Sequence, residues 1–446
     1  MRVLWLSHLV PYPPKGGVLQ RSFNLLREVA RYNTVDLVAM VQRPLLAYLA
    51  PEREEALRIA KRELSGFCAS VAFCPLPEDA RVGGRTGLLL GSVISPHPYT
   101  VNWLLSRRMA GLVQRHTAAR ACEIAHLDTF SLGAYLDDLG GMPAVMNHHN
   151  IESHMMQRRA ANESNPLKKL YMLQESAKIL RWERRYGERC AAHLTCSELD
   201  TERLLQAAPR LAGKVHEIPN GVDLDYFKPD YVAPTEGRLI FAGRLSAYPN
   251  RKAVLFIARE LWPALKQAIP SVSIDIIGAE PPQEVIRLAE RDPAVRVHGF
   301  VDDVRPFLNG AAVYVCPITD GGGTKLKVLD ALAMAKAVVA DPIACEGIEV
   351  RAGTHVAFAH TVSEYVHHIR HLFAHVEERQ RLGQAARALV EEKYSYRAIG
   401  MRLAEVYEDV VSRSHTRRAT KHPGKGLGGG AGNRSRHNGR DGAGTG

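Results

Sequence analysis

The sequence predicts an α/β protein built from two consecutive doubly wound domains, each with a parallel sheet. Three observations support this prediction. Short apolar segments alternate with helical patterns along most of the chain, which is typical of βαβ units. The chain has 446 residues, whereas a single hydrophobic core stops growing at roughly 250–300 residues. Turn-forming residues around Pro219-Asn220-Gly221 interrupt the alternation, which then starts again.

The first half of the chain contains six predicted strands separated by helices. Apolar residues at helical spacing predict helices over Leu19 to Arg31 and Glu52 to Leu64. Residues 150–190 are mostly helical, with an interruption at Asn165-Pro166. The predicted strands are Val3 to Leu6, Val35 to Val41, Val71 to Phe73, Ile124 to Leu127, Ala144 to Asn147 and His193 to Cys196.

The second half repeats this pattern after a linker predicted at Pro229 to Gly237. Its last helices are expected at Ser363 to Lys393 and Arg397 to Ser412. The predicted strands are Leu239 to Ala242, Ser273 to Ile277, Val295 to His298, Val313 to Cys316, Ala337 to Ala340 and His355 to Ala359. We therefore divide the chain into a first domain (residues 1–222), a second domain (235–394), a final helix (395–412) and a tail (413–446).

The tail differs from the rest in composition. It contains ten glycines and almost no large apolar residue, so we expect it to be disordered. Its eight Lys and Arg and one Asp account for +7 of the net charge of +11. The remaining charge is nearly balanced, so no nucleic-acid-binding fold is indicated.

Cysteine usage and hydropathy favour a cytoplasmic protein. The seven cysteines are dispersed without a C-x-x-C pair, which predicts neither a zinc cluster nor a disulfide framework. The first residues have the pattern of a buried strand rather than of a signal peptide, and no uncharged run approaches the ~20 residues that cross a bilayer. We expect a soluble protein, at most peripheral on a membrane.

Two motifs of the first half are expected at the cleft that such domains form between the carboxyl ends of their sheets. Gly16 and Gly17 precede the first helix, where glycine admits a ligand to the backbone; a simple turn is the alternative. His148 and His149 follow a predicted strand, and His149 is the favoured ligand-facing residue. The alternative is that these residues cap the next helix, for which Asn150 is suited. A metal site is not indicated, because the sequence shows no third ligand near the two histidines.

The second half contributes an arginine at the equivalent position. Gly243 and Arg244 follow the first strand of the second domain. Arginine makes forked contacts with phosphate oxygens and keeps its charge at all physiological pH values. A surface salt bridge is the alternative role.

A glycine-rich segment precedes a helix with lysines in its first turn. Gly321, Gly322 and Gly323 lead through Thr324 into this helix, which carries Lys325 and Lys327, and two cations at a helix N-terminus favour a bound anion. Asp330 lies on the same helical face as Lys327, where a carboxylate can accept hydrogen bonds from ribose hydroxyls. A flexible turn with solvated lysines is the alternative.

Together these motifs resemble glycosyltransferase family 4, in particular a bacterial envelope-polysaccharide branch in which Gly-Gly-Gly-Thr-Lys-Leu-Lys recurs. The resemblance covers about residues 1–410 in order. Its motifs are Gly243-Arg244-Leu245, Pro219 to Asp223, Gly299-Phe300-Val301, Gly321 to Ala333, His149 to Glu152 and Glu346-Gly347.

The resemblance implies a GT-B fold, in which two Rossmann-like domains face each other across a cleft and the last helix crosses back to the first domain. It implies that the first domain binds the acceptor and the second binds a nucleotide-sugar. It also implies transfer with retention of anomeric configuration and without a metal or other cofactor.

The resemblance assigns roles to individual residues. Arg244 and Lys327 would neutralise the donor diphosphate, and His149 would lie beside the transferred sugar. Backbone near Gly243, Gly322, Gly323 and Thr324 would meet phosphate, Asp330 the ribose, Phe300 and Val301 the base, and Gly16 and Gly17 would close the cleft opposite.

Three positions depart from the family pattern. The family often has two glutamates separated by seven residues; here Gly322 takes the first position and Asp330 the second. Asp320 is a candidate substitute for the first. Asn250 stands where a lysine is frequent, six residues after Arg244.

We therefore predict a glycosyltransferase that acts on a saccharide or lipid-linked saccharide acceptor in cell-envelope or exopolysaccharide synthesis. A nucleotide-sugar epimerase of the same fold and a non-catalytic sugar-binding component are the alternatives. The segment Trp103 to His116 predicts a basic amphipathic helix, a candidate for peripheral contact with the inner membrane face, although most such helices face a core.

Overall fold

The structure is a computed structural model that describes residues 1–15, 17–47, 49–76, 84–119, 121–230, 234–320 and 323–421. It contains a seven-stranded and a six-stranded sheet. The strands of the first sheet are β1 (Arg2–Ser7), β2 (Thr34–Val41), β3 (Ser70–Pro75), β4 (Ile124–Leu127), β5 (Ala144–Asn147), β6 (Ala192–Thr195) and β7 (Val215–Glu217). Those of the second are β8 (Thr235–Ala242), β9 (Ser273–Ile277), β10 (Val295–Gly299), β11 (Ala311–Cys316), β12 (Ala337–Ala340) and β13 (Ala357–Phe358).

Helices connect the strands in both halves. In the first half they are α1 (Gly17–Ala30), α2 (Arg43–Leu46), α3 (Arg53–Ser65), α4 (Gly84–Ile94), α5 (Tyr99–Leu104), α6 (Arg107–Ala118), α7 (Glu152–Ala161), α8 (Pro166–Gly187) and α9 (Glu198–Ala207). In the second they are α10 (Tyr248–Phe256), α11 (Trp262–Ala268), α12 (Gln283–Arg291), α13 (Arg305–Gly310), α14 (Leu326–Ala333), α15 (Val362–Ala374), α16 (Val376–Lys393) and α17 (Tyr396–Lys421). 3₁₀ helices lie at Phe130–Leu139, Pro209–Leu211 and Pro342–Cys345, and a π-helical segment at Ile257–Leu261 joins α10 to α11.

Both sheets are parallel and share one topology, which confirms the predicted fold class. The first has the order β3-β2-β1-β4-β5-β6-β7 and the second the order β10-β9-β8-β11-β12-β13. In β1, Trp5 pairs with Leu37 on one side and His126 on the other. The predicted strands are found to within a few residues at each end. The sequence analysis missed β7, because its three residues are only partly buried and carry no apolar run.

Each sheet is covered on both faces, as βαβ crossovers require. Along β1, Val3 and Trp5 join one buried cluster while Leu4 and Leu6 join another on the opposite face. This alternation explains why the strand is apolar at every position. All seven cysteines are buried with free thiols. Within the described residues, no helix combines the length and apolar character that crossing a bilayer requires.

Two segments predicted to be helical each contain a break that divides them into two helices. Ser363 to Lys393 forms two helices, α15 and α16, separated at His375, whose extended ψ ends the first of them. Trp103 to His116 is likewise divided into α5 and α6, because Ser106 is extended and its hydroxyl caps α6 by accepting from the Met109 amide at 3.4 Å. Met109 and Val113 of α6 are buried, so its apolar side faces the protein core.

The last helix confirms the predicted crossing back to the first domain. The buried Tyr407 hydroxyl of α17 lies 2.6 Å from Nδ1 of His126 in β4. Gly400 packs against Glu28 of α1 so closely that a methyl group there would lie 2.4 Å from its Cβ. The helix extends to Lys421, beyond the predicted end at Ser412, because no Pro or Gly occurs before Pro423. Residues 422–446 of the predicted tail lie outside the described residues.

The two connections between the domains cross in contact with each other. The Val222 amide donates to the Tyr394 carbonyl at 2.8 Å, and the Tyr396 amide donates to the Val222 carbonyl at 3.3 Å. At Gly221 a methyl group would lie 2.8 Å from side-chain carbons of both Tyr396 and Ile399. Only a glycine allows the connections to approach this closely.

We therefore expect Gly221→Ala to lower the free energy of unfolding by about 1–3 kcal/mol, the usual cost of overpacking. Thermal unfolding monitored by circular dichroism measures the effect. Gly111→Ala in α6 is the matched control, because a methyl group there would contact only the end of a flexible arginine at 3.9 Å. A Gly221→Ala protein as stable as wild type would contradict this account of the crossing.

Candidate functional site

The strand orders determine where a ligand can enter. In each sheet the first and fourth strands are adjacent, so their connections leave in opposite directions and open a crevice at the carboxyl ends. In the first domain this crevice lies beyond β1 and β4, and in the second beyond β8 and β11. The segments that follow these four strands build the candidate site.

A buried carboxylate, Asp128, lies at the centre of the first-domain half. It directly follows β4 and is fully buried. Its Oδ2 accepts hydrogen bonds from the Ser22 hydroxyl at 2.8 Å and the Ser7 hydroxyl at 3.2 Å, and its Oδ1 accepts from the Asn147 amide at 3.2 Å. His149 Nε2 is 3.4 Å from Oδ1.

The charge state of this cluster follows from burial and from its histidines. Burial alone would raise the pKa of the Asp128 carboxyl, but the surrounding histidines, His149 foremost, hold that pKa well below its usual value. Burial lowers the pKa of His149, and Asp128 offsets this only in part. At neutral pH an ionised Asp128 therefore orients a neutral His149 imidazole.

His8 joins the same cluster, with Nδ1 3.5 Å from Asp128 Oδ2. The ligand atoms of His8, Asp128 and His149 lie within 4.8 Å of one another, so this group could also hold a transition-metal ion. His148, by contrast, points away from Asp128 and lies 3.0 Å from Nδ1 of the buried His193. Of the adjacent histidines, His149 is thus the one at the crevice.

A buried guanidinium connects this cluster to the inter-domain connection. Arg21 of α1 donates to the Asn147 side-chain oxygen at 3.0 Å, and Asn147 in turn donates to Asp128. The same guanidinium donates to the carbonyls of Ile218 at 2.8 Å and Pro219 at 2.9 Å, where the connection begins. A chain of hydrogen bonds therefore extends from the inter-domain turn to the carboxylate beside His149.

In the second domain, Gly243 and Lys327 meet beyond β8. A methyl group on Gly243 would lie 2.9 Å from the Lys327 ammonium, so the glycine leaves room for this side chain. Lys327 also contacts the Asn250 side-chain oxygen, and the Asn250 amide donates to the Arg244 carbonyl at 2.8 Å. Asn250 thereby links the Gly243-Arg244 turn to the lysine of α14.

Burial perturbs the titrating groups of α14. It lowers the pKa of Lys327 to about 8 and raises that of Asp330, one turn further on, to about 8. The pKa of Lys325 is lowered for the same reason. The Thr324 hydroxyl oxygen, just before the helix, is buried without a hydrogen-bond partner among the described residues. This end of α14 is thus a desolvated, cation-rich surface suited to an anion.

Three contacts bring the two halves together across the cleft. A methyl group on Gly323, whose φ is +67°, would lie 2.9 Å from the Asn150 side-chain oxygen and 3.7 Å from the His149 carbonyl. One on Gly17 would lie 3.8 Å from Leu326 at the start of α14. Lys15 pairs with Asp302 at 2.8 Å and lies 5.0 Å from the centre of the Phe300 ring.

The structure thus brings together most, but not all, of the predicted site residues. The cluster across the cleft contains His149, Gly17, Gly243, Gly323, Thr324, Lys327 and Asp330. The Arg244 guanidinium is exposed and donates to Ser246 at 3.2 Å. Phe300 is at the rim beside Lys15, and Val301 packs on the core of its own domain. Gly16 and Gly322 lie outside the described residues.

The structure contradicts the alternative role given to the first-domain motif, the capping of the next helix. Asn150 does not cap α7, whose N-cap is Ile151 and has no side-chain cap. The Asn150 side-chain oxygen instead faces Gly323 of the other domain. Asp320, the candidate substitute for the first glutamate of the family pattern, lies 3.5 Å from Arg158 of the first domain.

Sequence reasoning missed the residues that support the site. Asp128 carried a usable signal, because it directly follows a predicted strand at the end where such sheets bind ligands. Arg21 and Ser22 carried none, since both read as ordinary polar residues of a surface helix. Asn250 was noted only as a departure from a family pattern.

Residues 236–375 match the family model described as Glycosyl transferases group 1. This segment contains Gly243, Arg244, Lys327 and Asp330. The fold is GT-B. No curated protein sequence matches the chain significantly.

Solved structures support the GT-B fold over nearly the whole chain. Sucrose-phosphate synthase from Thermosynechococcus elongatus is 16% identical to this chain, with a TM-score of 0.66. The superposition covers 93% of this chain and 100% of the synthase chain. HepE from Anabaena in complex with UDP is 15% identical with a TM-score of 0.61, at 92% and 100% coverage. A glycosyltransferase from Rickettsia africae is 12% identical with a TM-score of 0.60, at 92% and 98% coverage.

The Asp128 cluster leads to a prediction about His149. Asp128→Asn removes the negative charge that partly offsets burial, so the pKa of His149 should fall further below its usual value. Side-chain ¹H–¹⁵N spectra recorded against pH measure this, with His149→Gln to assign the signal. Asp275→Asn, in the second domain beside Arg296 and His298, is the matched control and should leave His149 unchanged. A raised His149 pKa in Asp128→Asn would contradict this electrostatic account.

Proposed function

We propose that this protein is a glycosyltransferase that transfers a sugar from a nucleotide-sugar to a saccharide or lipid-linked saccharide acceptor. One observation carries the proposal: the desolvated lysine end of α14, which lies within the segment that matches a glycosyltransferase family model, faces the His149-Asn150 segment across a cleft. The proposed identity as a family 4 enzyme rests on the sequence motifs that surround these residues. The complexes of HepE with UDP and with UDP-glucose favour a UDP-sugar as the first donor to test.

The donor diphosphate is assigned to the second-domain half. Lys327 supplies a positive charge, and the backbone near Gly243, Gly323 and Thr324 supplies close approach and N–H groups at the start of α14. The Thr324 hydroxyl is a further donor, because it is buried without a partner among the described residues. Arg244 would turn from Ser246 towards the phosphates, a small movement for an exposed side chain. Asp330 would hold the ribose, and Phe300 and Val301 the base.

Charge stabilisation would supply much of the catalysis. When the bond between the sugar and the nucleotide breaks, negative charge develops on the diphosphate, and fixed cations and N–H groups stabilise it. In a retaining transfer, the acceptor hydroxyl attacks from the face that the nucleotide leaves. The hydroxyl proton passes to the departing diphosphate, and the new bond from the acceptor oxygen to the anomeric carbon replaces the bond between that carbon and the diphosphate oxygen. His149, held neutral by burial, would accept a hydrogen bond from or donate one to the transferred sugar.

We extend the proposal to cell-envelope or exopolysaccharide synthesis in the cytoplasm of a bacterium, with peripheral contact to the inner membrane face. We also propose that transfer is independent of metal ions, because Lys327, Arg244 and a helix N-terminus can neutralise the diphosphate. EDTA should then leave turnover unchanged. A loss of turnover that Zn²⁺ or Mn²⁺ restores would overturn this part and favour the His8, Asp128 and His149 group as a metal site.

The test is a panel of UDP-, GDP-, ADP- and dTDP-sugars, assayed for thermal stabilisation, hydrolysis and transfer, with Arg244→Ala beside wild type. We expect one base to be preferred, and turnover of Arg244→Ala to be reduced by about 10²–10³-fold. Arg259→Ala is the matched control, because this exposed arginine of the same domain pairs with Glu284 away from the cleft. The anomeric configuration of the product, read by NMR, tests retention.

Three other results would each contradict a part of the proposal. Wild-type turnover in Arg244→Ala would remove that residue from the mechanism. Conversion of a nucleotide-sugar without acceptor, with solvent deuterium incorporated, would establish an epimerase instead. Donor binding without turnover across all acceptors would establish a sugar-binding component.

The perturbed groups of α14 predict how donor affinity depends on pH. Lys327 is charged and Asp330 neutral below pH values of about 8, the state that favours an anion. Above that pH, both groups lose a proton and the local charge becomes more negative. We expect the affinity for UDP-glucose, measured by calorimetry, to fall by about tenfold or more per pH unit.

The variants separate this effect from a general loss of stability. Lys327→Ala should bind UDP-glucose roughly 10–100-fold more weakly at pH 7, as the loss of a charged hydrogen bond predicts. Lys327→Ala/Asp330→Asn should no longer show the decrease above pH 8. Lys266→Ala, which removes a half-buried lysine of α11 that donates to the Pro270 carbonyl, should bind UDP-glucose as wild type does. Affinity that rises with pH in the wild-type protein would refute these assignments.

A further inference from the structure

Helix α4 carries an exposed apolar face. Leu89, Leu90, Val93 and Ile94 are exposed, and Ile94 has 89% of its surface accessible. Leu89 and Val93 are four residues apart, as are Leu90 and Ile94, so the four side chains lie on one side of the helix. Leu88 and Ser92, on the other side, are buried. Four large apolar side chains on one solvent-facing side are unusual for a helix that packs only against its own domain.

The beginning of α8 extends this apolar surface. Leu167, Leu170 and Leu173 are exposed, by 78%, 66% and 47%. The two helices are in direct contact: the Ser92 hydroxyl lies 3.0 Å from that of Tyr171, and the Gln174 amide donates to the Val93 carbonyl at 2.8 Å. Leu167 and Leu170 lie one turn before these contact residues on α8. We call the seven exposed residues of α4 and α8 the apolar patch.

The described charges nearest in sequence to the apolar patch are mainly basic. The described residues 84–119, which include α4, contain four Arg and no Asp or Glu, and Glu163, just before α8, accepts a hydrogen bond from the Asn165 amide at 2.9 Å. Residues 164–174, at the start of α8, contain two Lys and no acid. Lys168 and Lys169 are exposed among the leucines of α8, and Arg107 and Arg108 are exposed at the start of α6. The nearby Glu175 is buried and paired with Lys178 at 3.0 Å, so it adds no negative charge at the surface.

This combination decides between two kinds of partner. A second copy of the chain, meeting the patch with its own patch, would place these lysines and arginines opposite one another. An anionic lipid surface instead offers an apolar interior for the leucine and isoleucine side chains and phosphate groups for the lysines and arginines. We infer that the apolar patch of α4 and α8 docks the first domain on an anionic lipid bilayer.

The apolar patch, and not the segment Trp103 to His116 that the sequence suggested, is therefore the proposed membrane contact. The apolar side of α6 is turned into the core, and only its exposed arginines remain available. The inference rests on the proposed function in one respect, that a membrane-docked first domain would meet a lipid-linked acceptor. Docking itself is measured without donor or acceptor, so its failure is distinguishable from a failure of the proposed sugar transfer.

The experiment is co-sedimentation of the full chain with vesicles of phosphatidylcholine and phosphatidylglycerol, compared with vesicles of phosphatidylcholine alone. We expect binding to the anionic vesicles that weakens with salt. Leu90→Glu/Ile94→Glu should lower the affinity by about tenfold or more, because it places charge in the apolar contact. Lys168→Glu/Lys169→Glu should lower it by about fivefold or more per residue. Val376→Glu/Met401→Glu, at exposed apolar positions elsewhere, is the matched control and should bind as wild type.

Each contrary result overturns the inference. Absence of binding to anionic vesicles at low salt would do so. Unchanged binding by Leu90→Glu/Ile94→Glu would also do so, and would leave the basic residues 413–446 as the membrane contact. A dimer detected by light scattering in wild type and lost in that variant would assign the patch to self-association. All substituted side chains are exposed, so thermal unfolding should be unchanged, and this measurement accompanies each variant.

Discussion

The buried carboxylate of Asp128 is the interaction on which the first half of the cleft depends. A charge fully removed from water is tolerated only if it is well solvated by fixed donors. Two serine hydroxyls and the Asn147 amide donate to it, and His149 Nε2 lies 3.4 Å away. Because these donors come from β1, α1 and β5, satisfying one charge aligns these three elements with the end of β4. The same requirement determines the orientation of the His149 ring.

Arg21 extends this constraint to the connection between the domains. Its guanidinium is buried, and it contacts Asn147 on one side and the Ile218 and Pro219 carbonyls on the other. The connection that begins there crosses the second one at Gly221, and α17 then packs on α1, the helix that carries Arg21. The polar core of the first domain and the orientation of the second domain are therefore coupled by short, buried contacts. Such networks favour one arrangement, because each unpaired member would be costly.

The second half of the cleft depends on the opposite charge. Lys327 is held beside Gly243 and Asn250 in surroundings that lower its pKa, a state that an incoming anion would relieve. Gly323 touches the His149-Asn150 segment, so the anion-binding end of α14 and the polar centre of the first domain share one space. If the apolar patch docks on a lipid surface, the first domain carries both the membrane contact and the acceptor side of the cleft. The second domain would then bind the donor.

The amino-acid pattern alone predicts the two parallel sheets, their strands to within a few residues, and the strand ends that surround the candidate site. These properties follow from local periodicity and from turn residues, which a single chain displays directly. It also pointed to His149, Gly243, Lys327 and Asp330 as candidates, which the structure places around one cleft, because glycines and charges at strand and helix ends are local signals. The supporting positions of Asp128, Arg21 and Asn250 became visible only in the folded chain, since their partners are distant in sequence and their burial is a property of packing. Tertiary packing likewise turned the apolar side of α6 inward and left that of α4 exposed, because both helices carry apolar faces and only their neighbours determine which one is covered.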